Sequence, residues 1–174
     1  MKPVKKILAL ILAGVMALAL LTGCGKATSL NRTVAEGLAE YVKSLFAGAG
    51  NENNISVSYQ VPELSRNIAP LFDENWITKD NSGDDALTEA AKTTLTNILS
   101  SYISDSSAVT FVAADVTDAK TPSMETSNLN NSKIMFNNPE HFDKSTSVTS
   151  LKIEVTHKTV NGRTYALAVM IAKS

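Results

Sequence analysis

Leu151-Lys152-Ile153-Glu154-Val155-Thr156-His157-Lys158, then Asn161-Gly162, then Tyr165-Ala166-Leu167-Ala168-Val169-Met170-Ile171 is the stretch on which the fold turns. Leu151, Ile153, Val155 and His157 alternate with Lys152, Glu154, Thr156 and Lys158, the period of a strand with one buried face. Tyr165, Leu167, Val169 and Ile171 alternate with Ala166, Ala168 and Met170 in the same way. Asn-Gly between two such runs marks a hairpin, and two registers compete. A two-residue type I′ turn pairs Val155 with Ala168 and Glu154 with Val169, placing charge on the face of the large apolar residues. A three-residue loop, Val160-Asn161-Gly162 with Gly162 in a G1 bulge, pairs Val155 with Leu167, Ile153 with Val169 and Leu151 with Ile171. The second register is expected. It sets His157 opposite Tyr165 as a rim residue capping the core by hydrogen bonding.

Upstream, Leu30, Val34, Leu38, Tyr41, Val42 and Leu45 form the stripe of an amphipathic helix. Thr33 with Glu36 has capping-box spacing, Asn31 is an alternative cap, and Gly48-Ala49-Gly50 ends the helix. Ile55, Val57, Tyr59 and Val61 alternate with polar residues up to Pro62, which predicts a half-buried strand, and a short helical turn fits residues 63–69. A second helix is expected from Asp84 or Asp85, with Leu87, Ala91, Leu95, Ile98, Leu99, Tyr102 and Ile103 on one face. Residues 109–116 read as a buried strand. Residues 117–150 are rich in Asn, Ser, Thr and Asp, and only Lys133 to Phe136 looks strand-like. A loop of that length is unusual, so either a short element lies around residues 139–142 or the function sits there. The expected fold class is α+β: a mainly antiparallel sheet with two principal helices packed on one face, ending in a C-terminal β-hairpin.

The N-terminus carries an address. Lys2, Lys5 and Lys6 precede an apolar run of fifteen residues, Ile7 to Leu21, followed by Leu21-Thr22-Gly23-Cys24. A basic n-region, a short apolar h-region and a small residue before the cut are the marks of a cleaved secretory signal. The run falls short of the ~20 apolar residues a spanning helix needs. It resembles the lipobox of the bacterial lipoprotein family, which implies cleavage before Cys24 and a diacylglyceryl group on its thiol. The implied location is the outer face of the cytoplasmic membrane, lipid-anchored and exported, with two acyl chains giving a stable hold. The organisation follows: signal peptide 1–23, lipidated cysteine and short tether 24–29, single α+β domain 30–174. The tether reaches about 20 Å when extended.

After Cys24 the chain carries thirteen Lys and Arg against seventeen Asp and Glu, a net charge of −4, with no basic run. Nucleic acid is therefore not an expected partner, and neither is electrostatic attachment to anionic lipid. Cys24 is the only cysteine, so a lipidated chain has no disulfide and no nucleophilic thiol.

Asn138-Pro139-Glu140-His141-Phe142-Asp143 places Glu140, His141 and Asp143 within one turn, chemically adequate for a metal ligand set or an acid/base group. Asp80-Asn81-Ser82-Gly83-Asp84-Asp85 is an acidic turn in which Asp80 and Asp84 are weak Ca²⁺ candidates, although Gly83 falls at the wrong position for an EF-hand; a turn with a helix cap explains it as well. Phe72 and Trp76 gather apolar bulk around acids and an amide, suited to stacking on a sugar or anchoring a partner, or to plugging a core edge. No nucleophile motif, phosphate loop or paired metal-ligand spacing is present, and no cofactor is expected. Arg66-Asn67-Ile68-Ala69 and Pro139-Glu140-His141 resemble motifs of the CAP (cysteine-rich secretory/pathogenesis-related) superfamily over seven residues. The alternative function is a metal-dependent envelope hydrolase or, as that resemblance implies, a CAP-like one, using His141 with Glu140 or Asp143, with Arg66 standing where the family carries Glu. The reading of the residues themselves is a lipid-anchored binding or accessory domain contacting a protein or cell-envelope glycan near the membrane, with Trp76, Phe72, His141, Glu140 and Asp143 as candidate contacts.

Overall fold

A computed structural model describes residues 26–138 and 145–174. The fold is α+β, built on a five-stranded, mainly antiparallel sheet. Helix α1 spans Lys26–Gly48, β1 Ser56–Ser58, β2 Ile77–Lys79, β3 Asp85–Leu87 and α2 Glu89–Leu99. They are followed by β4 Ser107–Asp115, α3 Pro122–Asn131, β5 Ile134–Asn138, β6 Ser150–Val160 and β7 Arg163–Lys173. The sheet order is β1-β6-β7-β4-β5, and β2 with β3 forms a separate small hairpin. Only the β1–β6 pair is parallel.

The C-terminal hairpin adopts the register that the patterning disfavoured. Val155 lies opposite Ala168, Glu154 opposite Val169, and Val160 opposite Arg163, leaving Asn161-Gly162 as a two-residue turn. Both turn residues have positive φ, 49° and 80°, as a type I′ turn requires. The expected register assumed one buried face, whereas this sheet is covered on both. On one side, Tyr165, Leu167, Val169 and Ile171 pack with Val109, Phe111, α2 and the segment 61–76. On the other, Leu151, Ile153, Val155, Ala166 and Ala168 pack with Val34, Leu38 and Leu129 of the other two helices. The large residues of β6 and β7 therefore serve opposite cores. The charged residues of β6 on the first face are satisfied near its margin: Glu154 Oε2 accepts from the Val61 N–H at 2.5 Å, and Lys152 Nζ sits 5.9 Å from the Tyr102 ring centre. Tyr102 in turn donates to Glu63 at 2.7 Å; burial and that bond push its phenol up to about 12.

The helices also depart from expectation at their starts. Helix α1 begins at Lys26, four residues before Leu30, because nothing in Ala27-Thr28-Ser29 breaks it. Thr33 donates back to the Ser29 carbonyl at 2.9 Å and Glu36 pairs with Arg32 at 2.7 Å, so the anticipated capping box is the second turn of a running helix. It ends where Gly50 takes φ +93° and the Asn51 N–H returns to the Phe46 carbonyl. Asp85 begins β3 rather than a helix, and α2 is capped by Thr88, whose hydroxyl accepts from the Ala91 N–H at 3.3 Å. Residues 117–150 contain the unforeseen α3, with Thr121 accepting from Met124 N–H and Pro122 in the first turn. Helices consequently flank both sheet faces, α1 and α3 on one and α2 on the other.

Candidate functional site

Helix α1 lies antiparallel to β6. Its first turns meet the far end of the strand, where Asn31 Oδ1 is 2.7 Å from His157 Nδ1. At its other end Asn51 Nδ2 donates to the Ser145 and Val148 carbonyls, both at 3.0 Å. Between these ties the apolar stripe outruns its cover. Val34 and Leu38 are buried, Tyr41, Val42 and Phe46 only in part, and Leu45 is 53% exposed.

The stripe is uncovered because α3 is short. Ten residues make a helix of about 15 Å, and α3 ends near Ala113, whose carbonyl accepts from Ser132 Oγ. The first half of β4 and the facing part of β5 are left without a helix above them. The result is a groove of about 570 Å³ floored by Thr110, Val112 and Met170, walled on one side by Tyr41, Leu45 and Phe46 of α1. The opposite rim carries Asn130, Asn131, Ser132 and Lys133, with Met135 and Asn137 of β5 below. Met135 is 42% exposed. The volume is that of a ligand-sized cleft. Its chemistry is apolar contact along one wall and amide, hydroxyl and ammonium groups along the other.

A second polar cluster stands further up α1. His157 Nε2 lies 2.8 Å from Glu125 Oε2 of α3, and the Glu125 side chain is only 8% exposed. The ring thus joins β6, α1 and α3 through one side chain. His157 faces Ala166, not Tyr165 as anticipated, since the hairpin register is shifted; its expected hydrogen-bonding role at the margin of the core is present with different partners. Asn31 and Leu38 are seven residues apart, so the cluster is about 10 Å from the near end of the groove.

The other candidates separate into three groups. Phe72 is fully buried and Trp76 is 8% exposed, stacked edge-to-face at 5.8 Å and in contact with Phe111. Neither offers a ring to a ligand, because both fill the core between segment 61–76 and the sheet. Asp80 Oδ1 accepts from the N–H groups of Ser82 and Asp84, at 2.8 and 2.9 Å, closing the β2–β3 turn in which Gly83 has φ +83°. Asp80 thus has a turn-forming role, and Asp84 contributes its backbone. Among the described residues no group of three or more His, Cys, Asp or Glu side chains is placed to hold a metal. His141, Glu140 and Asp143, like Cys24, lie outside the described residues.

The rim residues Asn130 to Lys133 lie within residues 117–150, the stretch set apart in the sequence as a place for function, but patterning singled out none of them individually. The groove's one visible trace was Leu45, a large apolar residue at the end of a stripe, indistinguishable in sequence from a core position. Among the described residues no helix is long and apolar enough to cross a membrane. Compared with known proteins, the chain matches no family model, no curated protein and no solved structure.

Proposed function

We propose that this chain is a lipid-anchored extracytoplasmic binding domain, held at the membrane through Cys24, that takes an amphipathic peptide segment of a cell-envelope protein in the α1–α3 groove. The observation that carries this reading is the continuation of the α1 stripe past its cover, leaving Leu45 and Met135 exposed in one cleft. Adjacent exposed apolar residues in a concave, polar-rimmed setting favour a docking site over incidental surface apolarity. Aliphatic and aromatic groups on the α1 wall, with the thioethers of Met135 and Met170 in the sheet below, suit apolar side chains, and flexible methionines accommodate their shape. The amides of Asn130, Asn131 and Asn137 suit the polar side of the same segment. A glycan is the weaker fit, because the single tryptophan is in the core and the groove floor is mainly apolar.

The test uses the full chain in its own envelope, with a photo-crosslinking amino acid at position 135 and, as control, at the exposed Thr93 on α2. A discrete protein adduct from position 135, absent from position 93, is expected. Leu45→Asp should reduce it by about tenfold or more, the effect of losing one anchor contact, at a cost of about 1 kcal/mol in stability, since Asp is a poorer helix former than Leu and its charge falls in the last turn of α1. A folded, anchored protein giving no adduct at 135, or one indifferent to Leu45→Asp, would sink the reading.

A further inference from the structure

We infer that the domain stands on the bilayer by one end, formed by the start of α1 and the β6–β7 turn, with the groove opening at the far end. The inference rests on the lipid-anchor reading of Cys24 and adds a direction to it. Three observations carry it.

The first is covalent. Helix α1 is continuous from Lys26, and Cys24 precedes it by two residues. Two residues span at most about 7 Å, so a diacylglyceryl group on Cys24 holds the start of α1 at the headgroups. The flexible tether of six residues that would let the domain roam is replaced by helix.

The second is the packing of that end. Asn31 bonds to His157, which fixes α1 and β6 to each other at one level of the molecule, and Glu125 ties α3 to the same ring. From this level α1 runs five residues back to Lys26, about 7 Å, and β6 runs three residues on to Val160, about 10 Å. The hairpin turn and the start of α1 therefore project from the same end by similar amounts. The groove residues Leu38 to Phe46 are twelve to twenty residues along α1, about 18–30 Å from its start.

The third observation concerns the alternative, a domain lying along the bilayer on α1. An interfacial helix needs a free apolar face and a basic polar face. The apolar stripe of α1 is packed on the sheet over Val34 and Leu38, and its charges are balanced pairs, Arg32 with Glu36 and Lys43 with Glu40. The net charge of −4 after Cys24 opposes close approach of the whole body to anionic headgroups. A single end of contact satisfies all three constraints, and it presents the groove to partners that extend away from the membrane rather than to lipid tails.

The experiment uses the processed, lipidated full chain in phosphatidylcholine vesicles containing a spin-labelled lipid quencher. Since Cys24 carries the lipid, one introduced cysteine is a unique thiol for a fluorophore. Thr159→Cys and Arg163→Cys flank the β6–β7 turn and mark the proposed bilayer end; Leu45→Cys and Glu52→Cys mark the far end. Quenching several-fold stronger at 159 and 163 than at 45 and 52 is expected. Equal quenching at all four sites, or the reverse order, overturns the orientation while the anchor stands. Failure of the unlabelled protein to float with the vesicles overturns the anchor, and the orientation with it.

Discussion

His157 shows what one side chain contributes where three elements meet. Glu125 is among the few buried polar residues of the described chain, and burying a carboxylate is costly unless it is bonded. Its bond to His157 offsets that cost, so His157→Ala should be more damaging than the loss of its own contacts suggests, by about 3 kcal/mol. Asn31→Ala, which leaves no buried charge behind, should cost about 1 kcal/mol. Adding Glu125→Ala to His157→Ala should recover part of the loss, because the stranded carboxylate is gone; strictly additive urea midpoints would refute this account. At residue scale only the hydrogen-bonding role of His157 at the core margin was legible; its partners were not, since Glu125 sits in an Asn- and Ser-rich stretch and His157 in a strand whose register was in question. Trp76 had the opposite difficulty. Acids and an amide flank it in sequence, but a 3₁₀ turn over Glu74–Trp76 places the ring inward and Asp73 and Glu74 outward.

Elements were legible where period and punctuation agreed, and illegible where two buried faces obscured the period. The stripe of α1 and the hairpin were visible because each repeats with its own period, and the strand before α3 because it is a short apolar, β-branched run. The hairpin register was misjudged because a central strand such as β7 carries apolar residues on both faces, so charge on β6 gave no reliable sign of which face is wet. Helix α3 escaped because its apolar stripe is thin, only Leu129 being a fully buried apolar residue, although Thr121-Pro122 was a legible start signal. The contact between α3 and α1 is nevertheless tight. A Cβ on Gly37 would come within 2.8 Å of Thr126 Oγ1, so glycine here serves close approach, not a turn. Gly37→Ala gains up to about 1 kcal/mol in helix propensity and loses about 1–3 kcal/mol to overpacking. A net destabilisation of about 1 kcal/mol is expected. In a Thr126→Ala background the obstacle is absent and Gly37→Ala should become neutral or stabilising; an unchanged penalty there would show that the two helices do not meet at this point.

At the scale of the molecule, one sheet separates two cores and is shared by both. Strands β4 and β7 contribute alternate residues to each side: Phe111 and Leu167 to one, Val112 and Ala168 to the other. Neither core can be lost without unpairing strands that the other needs, so the domain should unfold as one unit despite its three layers. Trp76 makes this testable, as the only tryptophan and a reporter buried on the α2 side. Leu38, 1% exposed, is on the opposite side of the sheet beneath α1. Truncating it to alanine removes a large core side chain and should cost about 2–5 kcal/mol. If the cores are coupled, the denaturation midpoint read by Trp76 fluorescence falls with Leu38→Ala and coincides with the midpoint read by far-ultraviolet circular dichroism. If they are separate units, Trp76 fluorescence keeps its original midpoint and only the helical signal moves. Coupling also bears on the groove, because its floor is the same pair of strands. A partner seated against Met170 and Thr110 would then stabilise the whole domain, including the Trp76 side it never touches, by linkage to a single folding equilibrium.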